Sequence, residues 1–190
     1  SDLNKMIIGN GLPKFYLSWN NSIRYKNFDF AVEAVSTNIN FTLRIVGANL
    51  NKNEIERLNK FLPERWEFFN SIDNTKLNEL YNSSFALLYP SSYEGFGIPI
   101  LEAMKAGCPV VSTNISSIPE VAGDAGLLVD KIEVEEFVKA ILKLENKEFR
   151  NEIISNGFEQ AKKFSWDKCF EETLEFYKEV AGKKFSWKFQ

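Results

Sequence analysis

The 190-residue sequence contains no histidine. Without an imidazole, Ser-His-Asp and Cys-His catalysis cannot be carried by this chain alone, and zinc sites that use histidine are excluded in the same way. Cysteine is scarce: Cys108 and Cys169 are the only two, far apart and in no C-x-x-C spacing. Cys108 lies in the apolar run Cys108-Pro109-Val110-Val111 and Cys169 in a helical pattern. Both read as buried free thiols in a reducing compartment. An excess of basic residues is missing as well. Lys and Arg number 23 against 26 Asp and Glu, a net charge of -3, so no global positive field points to nucleic acid. No apolar run is long enough to span a bilayer, and no signal pattern opens the chain.

What is present describes an ordinary globular domain. Hydrophobic residues make up 44% and charged residues 26%, a balance that excludes disorder, and the length suits one domain with a core of its own. Along the chain, short β-rich runs alternate with helical stretches. Strands are expected over residues 14–19, 41–46, 66–69, 85–89, 109–112 and 125–129. Helices are expected over 28–36, 53–61, 75–82 and 99–106, and then, in a wholly helical end, over 134–144, 147–163 and 165–180. Gly157 falls inside one of these helices, where it is mildly unfavourable. Strands alternating with helices imply an α/β fold, a doubly wound (Rossmann-like) parallel sheet covered on both faces. Such sheets bind ligands outside the carboxyl ends of their strands, so chemistry is expected in the loops that follow them.

One of those loops stands out. After the fourth strand comes Pro90-Ser91-Ser92-Tyr93-Glu94-Gly95-Phe96-Gly97-Ile98-Pro99-Ile100-Leu101-Glu102, a strand end, a glycine-containing loop and a helix opened by Pro99. Proline costs nothing in the first turn, where its N–H would have no partner. Gly95 and Gly97 allow the backbone close to a ligand, and free N–H groups at the helix start suit a phosphate. Glu94 in the loop and Glu102 about one turn into the helix are poor groups for gripping phosphate. They are good acceptors for sugar hydroxyls on either side of one. Taken singly, each has a plainer reading: Glu102 as an acid complementing the helix dipole, worth at most ~1 kcal/mol, and Glu94 as a solvated loop acid.

Glu94 and Glu102 with seven residues between them, enclosing Gly95-Phe96-Gly97-Ile98-Pro99, resemble the donor signature of the retaining GT-B glycosyltransferase family 4. Gly107-Cys108-Pro109-Val110-Val111-Ser112, Ile118-Pro119-Glu120-Val121 and Gly123-Asp124-Ala125-Gly126 are similar to that family in the same order. Tyr25-Lys26-Asn27 resembles its phosphate-contacting basic element, and Phe164-Ser165-Trp166 the start of its closing helix. The resemblance implies that Glu102 holds the ribose hydroxyls of a nucleotide and that Glu94 binds hydroxyls of the donor sugar. Amides near Gly95, Phe96, Gly97 and Ile98 would line the sugar and phosphate site. Lys26 would neutralise the diphosphate as it leaves, a role that needs no metal. The family's arginine several residues before the lysine has no counterpart, and Arg24 is the one basic residue close by to replace it. Lys26 also reads as a surface lysine ahead of a helix.

GT-B enzymes carry two doubly wound domains with the active site between them, and this length supplies one. The resemblance implies the C-terminal domain, with residues 1–13 as a remnant of the interdomain junction, 14–164 as the nucleotide-sugar-binding domain and 165–190 as closing helix and tail. The expected ligand is a nucleoside diphosphate sugar, with no cofactor and no metal. The acceptor would belong to an N-terminal domain absent from this chain. The expected activity is hexosyl transfer to a glycan or lipid-linked acceptor, as in bacterial polysaccharide assembly. The expected place is the cytoplasm, with peripheral association at the inner face of the membrane left open. The remaining alternatives are a non-catalytic doubly wound binding module and a GT-B sugar-nucleotide epimerase relative.

Overall fold

The computed structural model describes residues 14–18, 27–47 and 49–181. The elements follow from local chemistry. β-Branched and aromatic runs form six strands: β1 Lys14–Ser18, β2 Thr42–Gly47, β3 Trp66–Asn70, β4 Ala86–Tyr89, β5 Val110–Thr113 and β6 Gly126–Val129. Between and after them lie helices α1 Phe28–Ser36, α2 Lys52–Phe61, α3 Asn74–Asn82, α4 Ile98–Lys105, α5 Ile118–Ala122, α6 Val134–Lys143, α7 Lys147–Lys162 and α8 Trp166–Val180. Side-chain caps start several of them. Asn51 and Glu54 close a reciprocal capping box on α2, while Asp73, Asn146 and Ser165 accept the N–H three residues on at α3, α7 and α8.

All six strands run parallel in the order β3-β2-β1-β4-β5-β6. This is the doubly wound fold expected from the alternation. Side chains divide along each strand with period two. In β4, Ala86 and Leu88 enter one core while Leu87 and Tyr89 enter the other. The first core packs β2, β4, β5 and β6 under α1, α2 and α6; the second lies under α3, α4 and α5. The strand order reverses between β1 and β4, and there the chain leaves for opposite faces. In doubly wound sheets the carboxyl edge at such a reversal is where ligands bind.

Element boundaries agree with the sequence-based expectations to within one residue, with two omissions, α5 and a single 3-10 turn over Gly123–Ala125. The short helix α5 was not anticipated, because five residues with Pro119 near their start carry too little periodicity to read. A second difference concerns the thiols. Cys108 is buried as expected, but Cys169 is exposed. It sits on α8, none of whose residues is buried, so helical apolar patterning there does not translate into packing. Burial pushes the Cys108 thiol up to about 12, against the opposing pull of the Arg150 guanidinium and a backbone hydrogen bond. Gly157, unfavourable by propensity, has a packing reason: a Cβ there would stand 3.3 Å from Met104 Cγ, on the facing helix α4.

Two outcomes follow from this packing. Leu88 is fully buried in the centre of the sheet, so Leu88→Ala lowers unfolding free energy by about 2–5 kcal/mol, read from urea denaturation. Under native conditions at neutral pH an alkylating reagent modifies Cys169 and leaves Cys108 untouched until the chain unfolds; mass spectrometry of the labelled peptides gives the answer.

Candidate functional site

The segment singled out in the sequence lies where the strand order reverses. β4 ends at Tyr89, the loop 90–97 crosses the carboxyl edge, and α4 begins at Ile98 with Pro99 in its first turn. Gly97 is the N-cap residue at φ 104°, in the left-handed region, and offers no side-chain cap. A side chain there would be strained, and its Cβ would also press on Ile100 Cδ1 at 3.2 Å. Gly95 borders open space instead: a Cβ added to it meets nothing within 4 Å. Gly97 supplies no side-chain cap to α4, Pro99 has no N–H and the Ile100 N–H is taken by the Gly97 carbonyl at 2.9 Å, so the start of α4 acts as a partially positive helix terminus rather than as a row of free donors.

The two carboxylates occupy different settings. Glu94 is only 8% exposed, which removes its reading as a solvated loop acid. Glu102 is half-buried on the second turn of α4 and accepts a hydrogen bond from the Tyr81 hydroxyl at 3.1 Å. No acidic residue lies in the first turn of α4, so the helix-dipole reading of Glu102 loses its basis, because that effect fades beyond the first turn. Tyr81 itself is buried on α3. It fixes one oxygen of Glu102 from behind.

Phe96 and Ile98 are partly exposed around the glycines. The Phe96 ring packs edge-on against Phe164, with centroids 5.8 Å apart, and so ties the loop to the turn just before α8. Arg24 and Lys26 lie outside the described residues, as do residues 1–13 and the tail from 182. The residue after Lys26 is described: Asn27 precedes α1 at φ 52° and donates its Nδ2 to the Pro90 carbonyl at 2.7 Å. The start of α1 and the end of β4 are thereby joined across the reversal point.

Several residues at this edge escaped the sequence reading. Tyr81 is one, since nothing in a single sequence pairs a tyrosine with a carboxylate 21 residues on. The others are hydroxyls of β5 and the loop after it. Ser112 donates to the Tyr89 carbonyl, Thr113 to that of Ser91, Ser116 to that of Glu94, and Ser117 to those of Glu94 and Phe96. A signal existed. The polar run Ser112-Thr113-Asn114-Ile115-Ser116-Ser117 sits at the carboxyl end of a strand, where a ligand edge was already expected. Among the described residues, no group of three His, Cys, Asp or Glu side chains is placed to hold a metal ion. No described helix is long and apolar enough to cross a membrane.

Comparison with known proteins identifies the family and the fold. Over 117 residues the chain is 43% identical to the O-antigen chain mannosyltransferase B of Escherichia coli, covering 60% of this chain and 31% of that protein. It is 29% identical over 187 residues to an uncharacterized glycosyltransferase of Methanocaldococcus jannaschii, covering 94% of this chain and 52% of the relative. The chain therefore spans about half, or less, of the length of these relatives. Among solved structures, the fold is shared with HepE of Anabaena, crystallised with UDP and glucose. The TM-score there is 0.80 at 20% identity, over 93% of this chain and 50% of that one. The sequence model of glycosyl transferases group 1 matches residues 8–160. With four-fifths of its length inside that match, the chain belongs to the glycosyl transferases group 1 family.

Proposed function

We propose that this chain is the donor-binding domain of a retaining glycosyltransferase, which moves a hexose from a nucleoside diphosphate sugar to a glycan or lipid-linked acceptor. The observation that carries the reading is the placement of Glu94 and Glu102 on either side of an uncapped helix start at the reversal point of a doubly wound sheet. Such a start suits the diphosphate: the positive end of the helix and the exposed Gly95 backbone ahead of it favour negative charge. The carboxylates suit hydroxyls. Glu102, held by Tyr81, accepts from the ribose, and Glu94, withdrawn from bulk water, accepts from the sugar. Mannosyltransferase B as a relative and HepE with UDP and glucose as a structural neighbour support the ligand class.

Transfer itself requires the bond between the anomeric carbon and the diphosphate to break. Negative charge then builds on the leaving oxygen. In this scheme the amides of residues 95–98 and the α4 terminus stabilise that charge, together with Lys26 and, in place of the family's usual arginine, Arg24. No cofactor and no metal ion take part. Glu94 orients the sugar and is not assigned as a nucleophile. The acceptor side belongs to a second, N-terminal domain in the remaining length of the full enzyme, and the exposed apolar side chains of α8 are suited to packing on it. Action at the cytoplasmic side of a membrane, in bacterial surface-polysaccharide assembly, belongs to the same proposal.

A calorimetric panel of UDP-, GDP- and ADP-sugars tests the donor reading. One class binds, and Glu102→Ala weakens it by about 1.5–3 kcal/mol, roughly tenfold or more, while Tyr81→Phe weakens it less. Absence of binding across the whole panel refutes the reading. The 190-residue chain alone binds donor without transferring sugar to added acceptors; measurable turnover would show that the second domain is not required.

A further inference from the structure

Four hydroxyls in succession fasten the loop after β4 to the segment after β5. Ser112 and Thr113 take the carbonyls of Tyr89 and Ser91 at 2.7 and 2.6 Å. Ser116 and Ser117 then take the carbonyl of Glu94 at 2.7 and 2.9 Å, and Ser117 reaches that of Phe96 at 3.0 Å. We infer that Ser116 and Ser117 are positioning residues: by holding the Glu94 and Phe96 carbonyls, they aim the exposed Gly95 N–H at the ligand and fix the peptide that leads into the buried Gly97 at the helix start. The consequence for the ligand rests on the donor-site reading above; the positioning itself does not.

In a trans peptide the C=O and the next residue's N–H point in opposite directions, and the described residues include no cis bond. The Glu94 carbonyl faces the serines, so the Gly95 N–H faces away from them. The Phe96 carbonyl fixes the Gly97 N–H in the same manner. The Glu94 oxygen accepts from the Ser116 hydroxyl and, on its second lone pair, from the Ser117 hydroxyl, whose single proton is shared with the Phe96 carbonyl. A peptide plane held by both cannot rotate without losing both. Gly95 also borders open space, so a ligand can reach this stretch of backbone.

Two local costs indicate that the serines are committed to this task. Ser116 adopts φ 59°, a left-handed conformation disfavoured for a residue with a Cβ, and in it the hydroxyls of two successive residues reach one oxygen. Ser117 occupies the N-cap position of α5 but makes no capping hydrogen bond. Serine at that position ordinarily caps its own helix. Here its hydroxyl goes to the neighbouring loop, and the local helix is left uncapped in favour of the long-range contact.

The test reads the loop directly, with no ligand present. Backbone 15N relaxation gives the order of Gly95 and Gly97 in the wild-type chain, in Ser117→Ala, in the Ser116→Ala/Ser117→Ala double variant and in Ser117→Thr. The double variant lowers the order parameters of both glycines from roughly 0.85 toward 0.6, the single alanine variant does so less, and threonine restores the wild-type value. Amide-exchange protection of β4 and β5 stays as it was. Unchanged order at Gly95 and Gly97 overturns the inference, and so does a loss of protection throughout β4 and β5, which would mark the serines as plain structural supports. In a second arm the double variant loses about tenfold in affinity for the nucleotide sugar that the wild type binds, and less than twofold for the corresponding nucleoside monophosphate. Equal losses for both ligands place the effect outside the loop and count against the inference. A wild-type chain that binds no nucleotide sugar fails the donor reading alone, and the relaxation measurement still decides the positioning.

Discussion

Six parallel strands deliver all their carboxyl ends to one edge of the sheet, and the backbone that leaves them must find hydrogen-bond partners where the ladder stops. Around the reversal between β1 and β4, side chains supply those partners. Asn27 takes the carbonyl of Pro90, and the hydroxyls from Ser112 to Ser117 take those of Tyr89, Ser91, Glu94 and Phe96. The carbonyls of the loop are thus bound from the protein side. Its glycine N–H groups are turned the other way. The polarity of the site is in this sense a product of how the sheet edge is satisfied.

The helix that opens from this loop is held just as firmly from behind. α4 packs closely on α7 at Gly157, where an added Cβ would stand 3.3 Å from Met104 Cγ and the methionine would have to shift. At the far end of α4, Gly107 turns the chain at φ 71°, and an added Cβ would meet the Phe158 ring at 3.0 Å. Tyr81 reaches from α3 to Glu102. Each contact fixes α4 as a rigid rod whose start presents the positive end of its dipole and whose second turn presents a carboxylate. Through Phe96 and Phe164 the loop also touches the turn into α8. That helix carries Trp166, Phe170, Phe176 and Tyr177 in the open, with Trp166 79% exposed. In the function proposed above, this exposed apolar face is what packs on the second domain.

Strand and helix positions could be read from the sequence because their signals are local. Period-two and period-3.6 patterning, Pro99 at a helix start, and glycine where the backbone turns sharply all act within a few residues. The doubly wound topology follows from their alternation. Glu94, the two glycines and Glu102 stand out on the same local ground, since spacing within one loop and one helical turn needs no tertiary information. α5 escaped because five residues hold too short a pattern. The exposure of Cys169 escaped because amphipathic spacing reveals an apolar face but not whether anything covers it.

Tertiary structure alone decided the rest. That Glu94 is buried while lying in a loop, that Tyr81 pairs with Glu102, and that serines on one segment grip the carbonyls of another are contacts between residues about 20 apart in sequence. Their energies depend on distance and direction rather than on composition. A hydroxyl can cap its own helix or serve a neighbour at similar cost, and only the packed sheet edge selects between them at Ser117. The sequence by itself determined which elements form and which groups could meet a sugar nucleotide. The folded edge determined which way those groups face, because a peptide plane points where its partner holds it.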